Sequence, residues 1–183
     1  MYTLKGQRIH LRPLRLSDLG VFLEYRSDPA VCRYQGFEVF DRAMAVGFLQ
    51  QQSQMPLLME GDWVNVAVAD AATDELLGDV AVHGLDKHPQ LVELGYTIHP
   101  AQQGKGYAKE ALQVLLQELF FGLSIHKAIA EVDPRNEPSW RLLEALGFRR
   151  EGHLKEGFFD EEDGTWVDEY LYGLLAREFL SDL

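Results

Sequence analysis

The chain has 183 residues and a formal net charge of −12, and we expect one globular domain over residues 1–183. The negative charge argues against nucleic acid and anionic membranes as partners, because affinity for phosphate groups comes from Lys and Arg. No apolar run is long enough to predict a membrane span, and the first residues lack the apolar core of a signal peptide. The single cysteine, Cys32, excludes an internal disulfide, and no zinc-ligand cluster is present. We therefore expect a reduced, cytoplasmic protein without a metal.

The first part of the chain predicts a strand followed by two short helices. Residues 8–13 alternate in polarity, as expected for a strand. Ser17 is a plausible N-cap for the first helix. The second helix is predicted to begin at Asp41 and to bury Met44 with other apolar residues.

The middle of the chain predicts the sheet. Residues 62–69 alternate with period two and residues 76–84 form the returning strand, which indicates an antiparallel hairpin. Residues 91–98 add a third strand. A long helix to about residue 123 then leads into a strand over residues 125–132, which should lie parallel to residues 91–98 by a right-handed crossover.

The last part predicts one more helix and two strands. The helix spans about residues 138–146, where Gly147 ends it. Residues 148–154 and 166–175 are predicted strands, and residues 156–164 an acidic loop between them. Helices combined with a mixed sheet place the chain in the α/β (α+β) class.

A glycine-bearing turn joins the strand over residues 91–98 to the long helix. Such a turn presents free N–H groups at the positive end of a helix, where a phosphate or pyrophosphate can bind. Gly104 and Gly106 permit a tight turn, and Lys105 adds a cation. The turn is neither a dinucleotide fingerprint, since Lys109 stands where the third glycine belongs, nor a Walker loop. A purely steric role for the glycines remains the alternative.

Two separated motifs carry a resemblance to a known family. The first is the turn around Gly104 and Gly106. The second comprises Asn136, Ser139, Glu144, Gly147 and Phe148. Together they resemble the GCN5-related N-acetyltransferase (GNAT) superfamily, and the surrounding segments are similar to its RimJ/RimL-type branch, whose namesakes acetylate ribosomal-protein N-termini. The resemblance covers nearly the whole chain.

The resemblance implies a GNAT-like mixed, bent sheet flanked by helices. It also implies that the strands over residues 91–98 and 125–132 splay apart to hold acetyl-coenzyme A, with coenzyme A as product. Ala101 departs from the family pattern, because an Arg or Gln usually stands there. The backbone N–H near Ile98 would bind the thioester carbonyl, and Asn136 the pantetheine arm. The implied cofactor-binding residues are Ile98, Gln103, Gly104, Lys105, Gly106, Tyr107, Ala108, Asn136 and Ser139.

Two strand carboxylates are candidates for the general base that deprotonates the amine. Glu131 lies at the end of its strand, where related acetyltransferases place a base, and it is our preferred candidate. Glu93 lies among apolar neighbours, where desolvation raises the pKa of a carboxylate. A structural hydrogen-bonding role is the alternative for each. His83 and His99 are weaker candidates, because both are expected to be ordinary surface or loop residues.

The general acid of many family members is a tyrosine immediately before the motif glutamate. Leu143 occupies that position here and has no proton to donate. Ser139, one turn earlier, is the replacement suggested by the RimL-type branch. Its alternative role is that of an ordinary serine at a helix start, bonding a backbone group.

The sequence therefore predicts an acetyl-coenzyme A-dependent N-acetyltransferase that acts on a primary amine by direct attack in a ternary complex. The acceptor is a peptide N-terminus, a polyamine, an aminoglycoside or another small amine, and the sequence does not choose among them. The alternative is a non-catalytic acyl-coenzyme A-binding or sensing module on the same fold. A homodimer is the oligomeric state that we consider for the protein.

Overall fold

The computed structural model describes residues 2–35, 39–86, 88–161 and 163–179. Eight strands form one sheet in the order β1-β2-β3-β4-β5-β6-β8-β7. The strands are β1 (Leu4–Lys5), β2 (Ile9–Pro13), β3 (Trp63–Asp70), β4 (Leu76–Gly84), β5 (Leu91–Ile98), β6 (Lys127–Val132), β7 (Arg149–Asp160) and β8 (Thr165–Leu175). All neighbouring strands are antiparallel except β5 and β6, which are parallel. This arrangement confirms the predicted mixed sheet and its one parallel crossover.

Five helices flank the sheet within the described residues. They are α1 (Leu19–Arg26), α2 (Pro29–Cys32), α3 (Arg42–Gln52), α4 (Tyr107–Gln117) and α5 (Glu137–Ala145). A wider, π-helical turn over Glu118–Gly122 extends α4. None of the described helices is long and apolar enough to cross a membrane.

Helix α4 provides the crossover between β5 and β6 and covers one face of the sheet. Its apolar stripe is fully buried and consists of Ala111, Leu112, Leu115 and Leu116. The stripe packs on β-branched residues that alternate along the central strands, such as Val80, Val82 and Val92. Burial of each such side chain contributes about 1.5–3 kcal/mol, so this layer holds the start of α4 in place beside the end of β5.

Helices α1 and α3 cover the opposite face of β2 to β4. Phe22 and Tyr25 of α1 and Leu49 of α3 form the centre of this second cluster. Beneath it lies Asp79 of β4, which is 1% exposed and accepts hydrogen bonds from Tyr25 Oη (2.6 Å), Asn65 Nδ2 (2.7 Å) and the Arg26 guanidinium. These bonds fix α1 against the middle of the sheet.

Several local predictions were wrong. Ser17 lies inside a 3-10 turn rather than at an N-cap, because the neighbouring Asp18 forms a buried ion pair with Arg12 that organises this turn. Met44 is 43% exposed, since Ala45 and Leu49 provide the buried face of α3. The predicted acidic loop is shorter than residues 156–164, because β7 continues to Asp160 by pairing with β8. The two-residue strand β1 and the single turn α2 were not predicted.

Candidate active site

A gap opens between β5 and β6 at the centre of the sheet. Parallel pairing runs from Leu91↔Lys127 to Glu93↔Ile129 and stops there, although both strands continue. His99 N–H donates to the Leu77 carbonyl at 2.9 Å, on the β4 side. Because N–H groups alternate between the two sides of a strand, those of Tyr96 and Ile98 point toward β6, into the gap. Because the β5–β6 pairing stops at Glu93, these two backbone donors have no partner in the β6 ladder.

The end of β5 is held by the turn that follows it. Gln103 Nε2 donates to the Ile98 carbonyl at 2.9 Å, so its side chain closes the strand end rather than extending outward. Lys105 Nζ donates to Gln102 Oε1 at 2.8 Å on the exposed side of the same turn. The turn is thus fixed from both sides before α4 begins.

The turn has the backbone geometry of an anion cradle. Gly104 and Gly106 have φ values of +72° and +83°, a region that favours glycine, and a Cβ on Gly104 would meet open space. Gly106 is the N-cap of α4 and provides no capping side chain. The first N–H groups of a helix have no intrahelical partner, so those at Tyr107 and Ala108 are available to a ligand. The side chains of Tyr107 and Ala108 pack against the core instead.

Arg8 and Glu110 brace this cradle from outside. Glu110 Oε1 accepts from the N–H groups of Gln7 (2.8 Å) and Arg8 (2.6 Å), and its Oε2 accepts from Arg8 Nε at 2.8 Å. Arg8 Nη1 donates to the Lys105 carbonyl at 2.9 Å, and its guanidinium lies 5.0 Å from the centre of the Tyr107 ring. Sequence reasoning missed both residues, because Arg8 lies about a hundred residues before the turn and no motif connects them.

Three carboxylates share the sheet face opposite α4. Glu93 pairs with Ile129 in register, and alternation places Glu131 on the same face, two residues beyond. Glu131 pairs with Leu171 of β8, which adds Glu169 to that face by the same alternation. The structure therefore brings together both predicted base candidates, and it adds Glu169, which the sequence analysis did not single out.

Burial and mutual repulsion act on these groups. The side chain of Glu93 is 20% exposed, and burial, followed by the negative charge of Glu131, raises its pKa. Burial and the charges of Glu131, Glu93 and Asp133 raise the pKa of Glu169 in the same way. Glu131 itself is exposed. A carboxylate with a raised pKa holds a proton more readily, which suits Glu93 to accept one.

The two histidine candidates have different surroundings. His83 Nδ1 lies 3.6 Å from Glu93 Oε2, and the His83 ring stacks on Trp63 with centroids 5.0 Å apart. His83 thus belongs to the carboxylate face. His99 instead bonds Glu24 of α1 at 3.1 Å and accepts from Ala101 N–H at 3.1 Å, which gives it a structural role at the end of β5.

Ser139 is paired with a tyrosine across the gap. Ser139 Oγ and Tyr96 Oη are 2.7 Å apart, and Tyr96 Oη also lies 3.0 Å from the Ser139 carbonyl. Burial raises the pKa of Tyr96 to about 12, so the phenol is neutral at physiological pH. Tyr96 is a further residue that the sequence analysis missed, although it is the aromatic residue of β5 whose backbone N–H points into the gap.

The rest of the second motif fixes α5. Asn136 makes no capping bond with its side chain, while its carbonyl accepts from Ser139 N–H at 3.1 Å. Glu144 Oε1 accepts from the hydroxyl of the fully buried Tyr172 at 2.9 Å. Leu143 is fully buried in the core. These contacts leave Asn136 and Ser139 as the polar side chains of this motif at the start of α5.

The family profile of the acetyltransferase (GNAT) domain matches residues 8–149 of this chain. The chain belongs to the GNAT family. An uncharacterised N-acetyltransferase, p20, of Bacillus licheniformis is 33% identical over 180 residues, which is 98% of this chain and 99% of that protein. These matches confirm the resemblance and make the protein an N-acetyltransferase of that family.

Two further relatives connect the chain to the predicted branch and fold. The ribosomal protein uS5 alanine N-acetyltransferase of Escherichia coli is 38% identical over 86 residues, 47% of this chain and 43% of that protein. The crystal structure of a GNAT-family acetyltransferase from Bacillus anthracis superposes with a TM-score of 0.85 at 29% identity, covering 97% of this chain and 100% of that one. The GNAT family binds acetyl-coenzyme A or coenzyme A and transfers acetyl groups to amines.

Proposed function

We propose that this protein transfers an acetyl group from acetyl-coenzyme A to a cationic primary amine, by direct attack within a ternary complex. The observation that carries the proposal is the continuity of the gap with the anion cradle. Pairing of β5 and β6 ends at Glu93↔Ile129, and the uncapped start of α4 follows β5 within ten residues of its end. The turn suited to phosphate thus lies beyond one end of the gap, and the carboxylate-bearing face lies beside the point where strand pairing stops.

The residues present fit acetyl-coenzyme A, which supplies an acetyl group activated as a thioester. The left-handed turn at Gly104 and Gly106 and the free N–H groups of α4 suit its pyrophosphate. The N–H groups of Tyr96 and Ile98 suit the pantetheine arm and the thioester carbonyl. Asn136 is the N-cap of α5, three residues before Ser139, which bonds Tyr96.

Tyr96 is the better of the two donors for the carbonyl. With a rise of about 3.3 Å per strand residue, Tyr96 lies about 10 Å and Ile98 about 16 Å along the strand from Glu93. The carbonyl and the base must act on adjacent atoms, through at most one water. The N–H nearer to the carboxylates therefore satisfies that requirement better, and Ile98 is left to bind the arm.

Glu93 is the general base in this proposal. Its half-buried carboxylate takes a proton from the ammonium group of the acceptor, either directly or through one water. The exposed Glu131 raises the pKa of Glu93 by its charge and attracts the cationic acceptor. This assignment reverses the order of preference expected from the sequence, because burial was not visible there.

Ser139 is the general acid in this proposal, and Tyr96 orients it. When Tyr96 donates to Ser139 Oγ, the serine proton is free to protonate the departing thiolate. When Tyr96 donates to the Ser139 carbonyl instead, Ser139 Oγ–H donates to Tyr96 Oη. Only the first arrangement directs the Ser139 proton at the thiolate. As that proton moves to sulfur, the Tyr96 proton moves to Ser139 Oγ, and the resulting phenolate regains a proton from solvent.

Direct attack is supported by the state of the single cysteine. Cys32 is 7% exposed, and its Sγ lies 3.4 Å from the Arg26 carbonyl, to which it donates. Burial raises the pKa of its thiol, so it is a poor nucleophile. Cys32 is therefore unsuited to forming an acetyl-cysteine intermediate.

The test is a screen of acceptors. Thiol release from acetyl-coenzyme A is measured with alanine-initiated peptides, spermidine, an aminoglycoside and a neutral-tailed amine such as butylamine. We expect turnover with at least one cationic acceptor and a lower kcat/KM for butylamine. Coenzyme A binding without turnover of any acceptor would favour the non-catalytic acyl-coenzyme A-binding or sensing module over the enzyme. Equal kcat/KM values for butylamine, which carries one charge, and for spermidine and the aminoglycoside, which carry several, would remove the electrostatic part of the proposal.

A further inference from the structure

Arg135 lies at the centre of an ion-pair cluster where three separate segments of the chain meet. Its guanidinium donates to Asp133 from Nε (3.0 Å) and Nη2 (2.6 Å), to Asp160 from Nη2 (2.7 Å) and to Asp163 from Nη1 (3.2 Å). Asp163 also accepts from Arg33 Nη2 at 3.1 Å. These five residues form the Arg135 cluster, which joins the end of β6, the tip of the β7–β8 hairpin and the end of α2.

The Arg135 cluster differs from an ordinary ion pair on the surface. Asp160 is 7% exposed, and the Arg135 guanidinium lies 5.6 Å from the centre of the Tyr34 ring. An exposed pair between two flexible side chains fixes geometry poorly, whereas a planar guanidinium that binds several carboxylates is held in one orientation. The cluster can therefore fix the positions of its three segments relative to one another.

The start of α5 depends on polar contacts of this kind. Leu143 is the buried side chain of α5, while Glu137, the first residue of the helix, is exposed. A tight turn leads into the helix: Asp133 Oδ1 accepts from the N–H of Arg135 at 2.8 Å, and the Asp133 carbonyl accepts from the N–H of Asn136 at 2.9 Å. The first turn of α5 thus begins directly at the Arg135 cluster.

Ser139 lies in that first turn, four residues after Arg135, and its Oγ is 2.7 Å from Tyr96 Oη. A general acid must point at the departing atom, and a displacement of about 1 Å can lower a rate by about 100-fold. The position of α5 relative to β5 therefore decides whether the serine hydroxyl is effective.

We propose that Arg135 is a positioning residue for Ser139. By binding Asp160 and Asp163, it holds the first turn of α5 against the hairpin tip, where Ser139 meets Tyr96. The inference rests on the proposed role of Ser139 as the general acid. In this role the β7–β8 hairpin contributes to acetyl transfer through α5.

A double-mutant cycle tests the proposal, with single-turnover rates of acetyl transfer measured at saturating acetyl-coenzyme A and acceptor. Arg135→Gln should lower the rate by about 5- to 20-fold, less than Ser139→Ala does, because it displaces the acid rather than removing it. In the Ser139→Ala background the same change should cost less than about twofold, since no acid is left to position. A residue that only stabilises the fold would lower the rate equally in both backgrounds.

Two further variants separate geometry from charge. Arg135→Lys keeps the charge but loses the planar fork that binds several carboxylates, and it should show most of the loss seen in Arg135→Gln. Arg141→Gln is the matched control, because it removes a charge from the same helix where Arg141 pairs with Glu137 on the exposed side, and its rate should stay within about twofold of wild type. A normal rate in Arg135→Lys, or equal losses from Arg135→Gln in both backgrounds, would overturn the inference.

The same rates distinguish failure of this inference from failure of the proposed function. Absence of acetyl transfer by the wild type to every acceptor would overturn the proposed function. An unchanged rate in Ser139→Ala would overturn the acid assignment and the role of Arg135 with it. A slow Ser139→Ala beside a normal Arg135→Gln would overturn the role of Arg135 alone.

Discussion

The hydroxyl groups of Tyr96 and Ser139 are 2.7 Å apart and join β5 to α5 across the gap in the sheet. Tyr96 follows the point on β5 where pairing with β6 stops, and Ser139 lies at the start of α5. Burial holds Tyr96 in its neutral form, with a pKa of about 12, so the pair shares protons without carrying a charge. Such a pair orients the serine hydroxyl without the desolvation cost of a buried ion.

Ser139→Ala should lower kcat by up to about 100-fold, the low end for a general acid, because a thiolate with a pKa near 8.5 leaves partly unassisted. Tyr96→Phe should lower kcat by a smaller factor, and the double variant should be no slower than Ser139→Ala, since both changes remove one shared function. Single-turnover rates and coenzyme A affinity are measured together. Unchanged rates with weaker coenzyme A binding would make Ser139 an anchor rather than an acid. Tyr172→Phe, which removes another buried hydroxyl, is the control and should alter stability alone.

The choice of base is tested by comparing two isosteric changes. Glu93→Gln removes the half-buried proton acceptor and should reduce kcat/KM by about 10²–10⁴-fold at neutral pH. Glu131→Gln should reduce it by no more than about tenfold, because Glu131 is exposed and acts through its charge. The loss in Glu93→Gln should shrink at high pH, where the amine deprotonates unaided. A larger loss in Glu131→Gln than in Glu93→Gln would restore the assignment favoured by the sequence.

The pH dependence of kcat/KM gives an independent test of Glu93 as the base. Glu93 accepts protons only above its pKa, so kcat/KM should fall as the pH drops through that value. The charge of Glu131 raises the pKa of Glu93, and Glu131→Gln should therefore move the acidic limb to lower pH. The nearby His83 lowers the same pKa, so His83→Phe should move the limb to higher pH. One acceptor is used throughout, so that its own titration affects all proteins equally. Acidic limbs at the same pH in the wild type, Glu131→Gln and His83→Phe would exclude Glu93 as the base.

The sequence predicted the parts of the site that are local in the chain. The turn at Gly104 and Gly106 and the motif from Asn136 follow from residues within a few positions of each other. The contacts of Arg8 with the cradle and of Tyr96 with Ser139 depend on how distant elements pack, and no local pattern encodes them. The same holds for Glu169, which reaches the carboxylate face only through the register of β6 and β8. The burial that favours Glu93 over Glu131 as the base also depends on packing between distant elements.

Gly106→Asp should abolish stabilisation by acetyl-coenzyme A. The new side chain places a negative charge in the anion cradle, beside Arg8, and strains a residue with φ of +83°. The measurement is the rise in melting temperature with added ligand, since a ligand that binds only the folded state stabilises it. Gly164→Asp provides the control, because Gly164 is also left-handed and open but lies in the β7–β8 turn. A full ligand-induced shift in folded Gly106→Asp would remove the turn from the cofactor site.

Stability should depend strongly on the buried ion pair of Asp79 with Arg26. The two side chains are 1% and 3% exposed, so Asp79→Ala leaves a guanidinium in the protein interior without its main counter-charge. Breaking such a pair costs about 3–5 kcal/mol, whereas replacing both partners with apolar residues of similar volume is often neutral. Urea unfolding should therefore show a large loss for Asp79→Ala and substantial recovery in Arg26→Met/Asp79→Leu.

A surface pair gives the matching control for that measurement. Glu137 and Arg141 form an exposed ion pair on α5, with side chains 55% and 67% exposed. Exposed pairs contribute at most about 1 kcal/mol, so Glu137→Ala should change the unfolding midpoint little. The double replacement at Asp79 and Arg26 also removes the bonds to Tyr25 and Asn65, and it should recover less than the full loss for that reason. Similar losses for Asp79→Ala and Glu137→Ala would show that α1 is held by the apolar contacts that its Phe22 and Tyr25 make rather than by the ion pair.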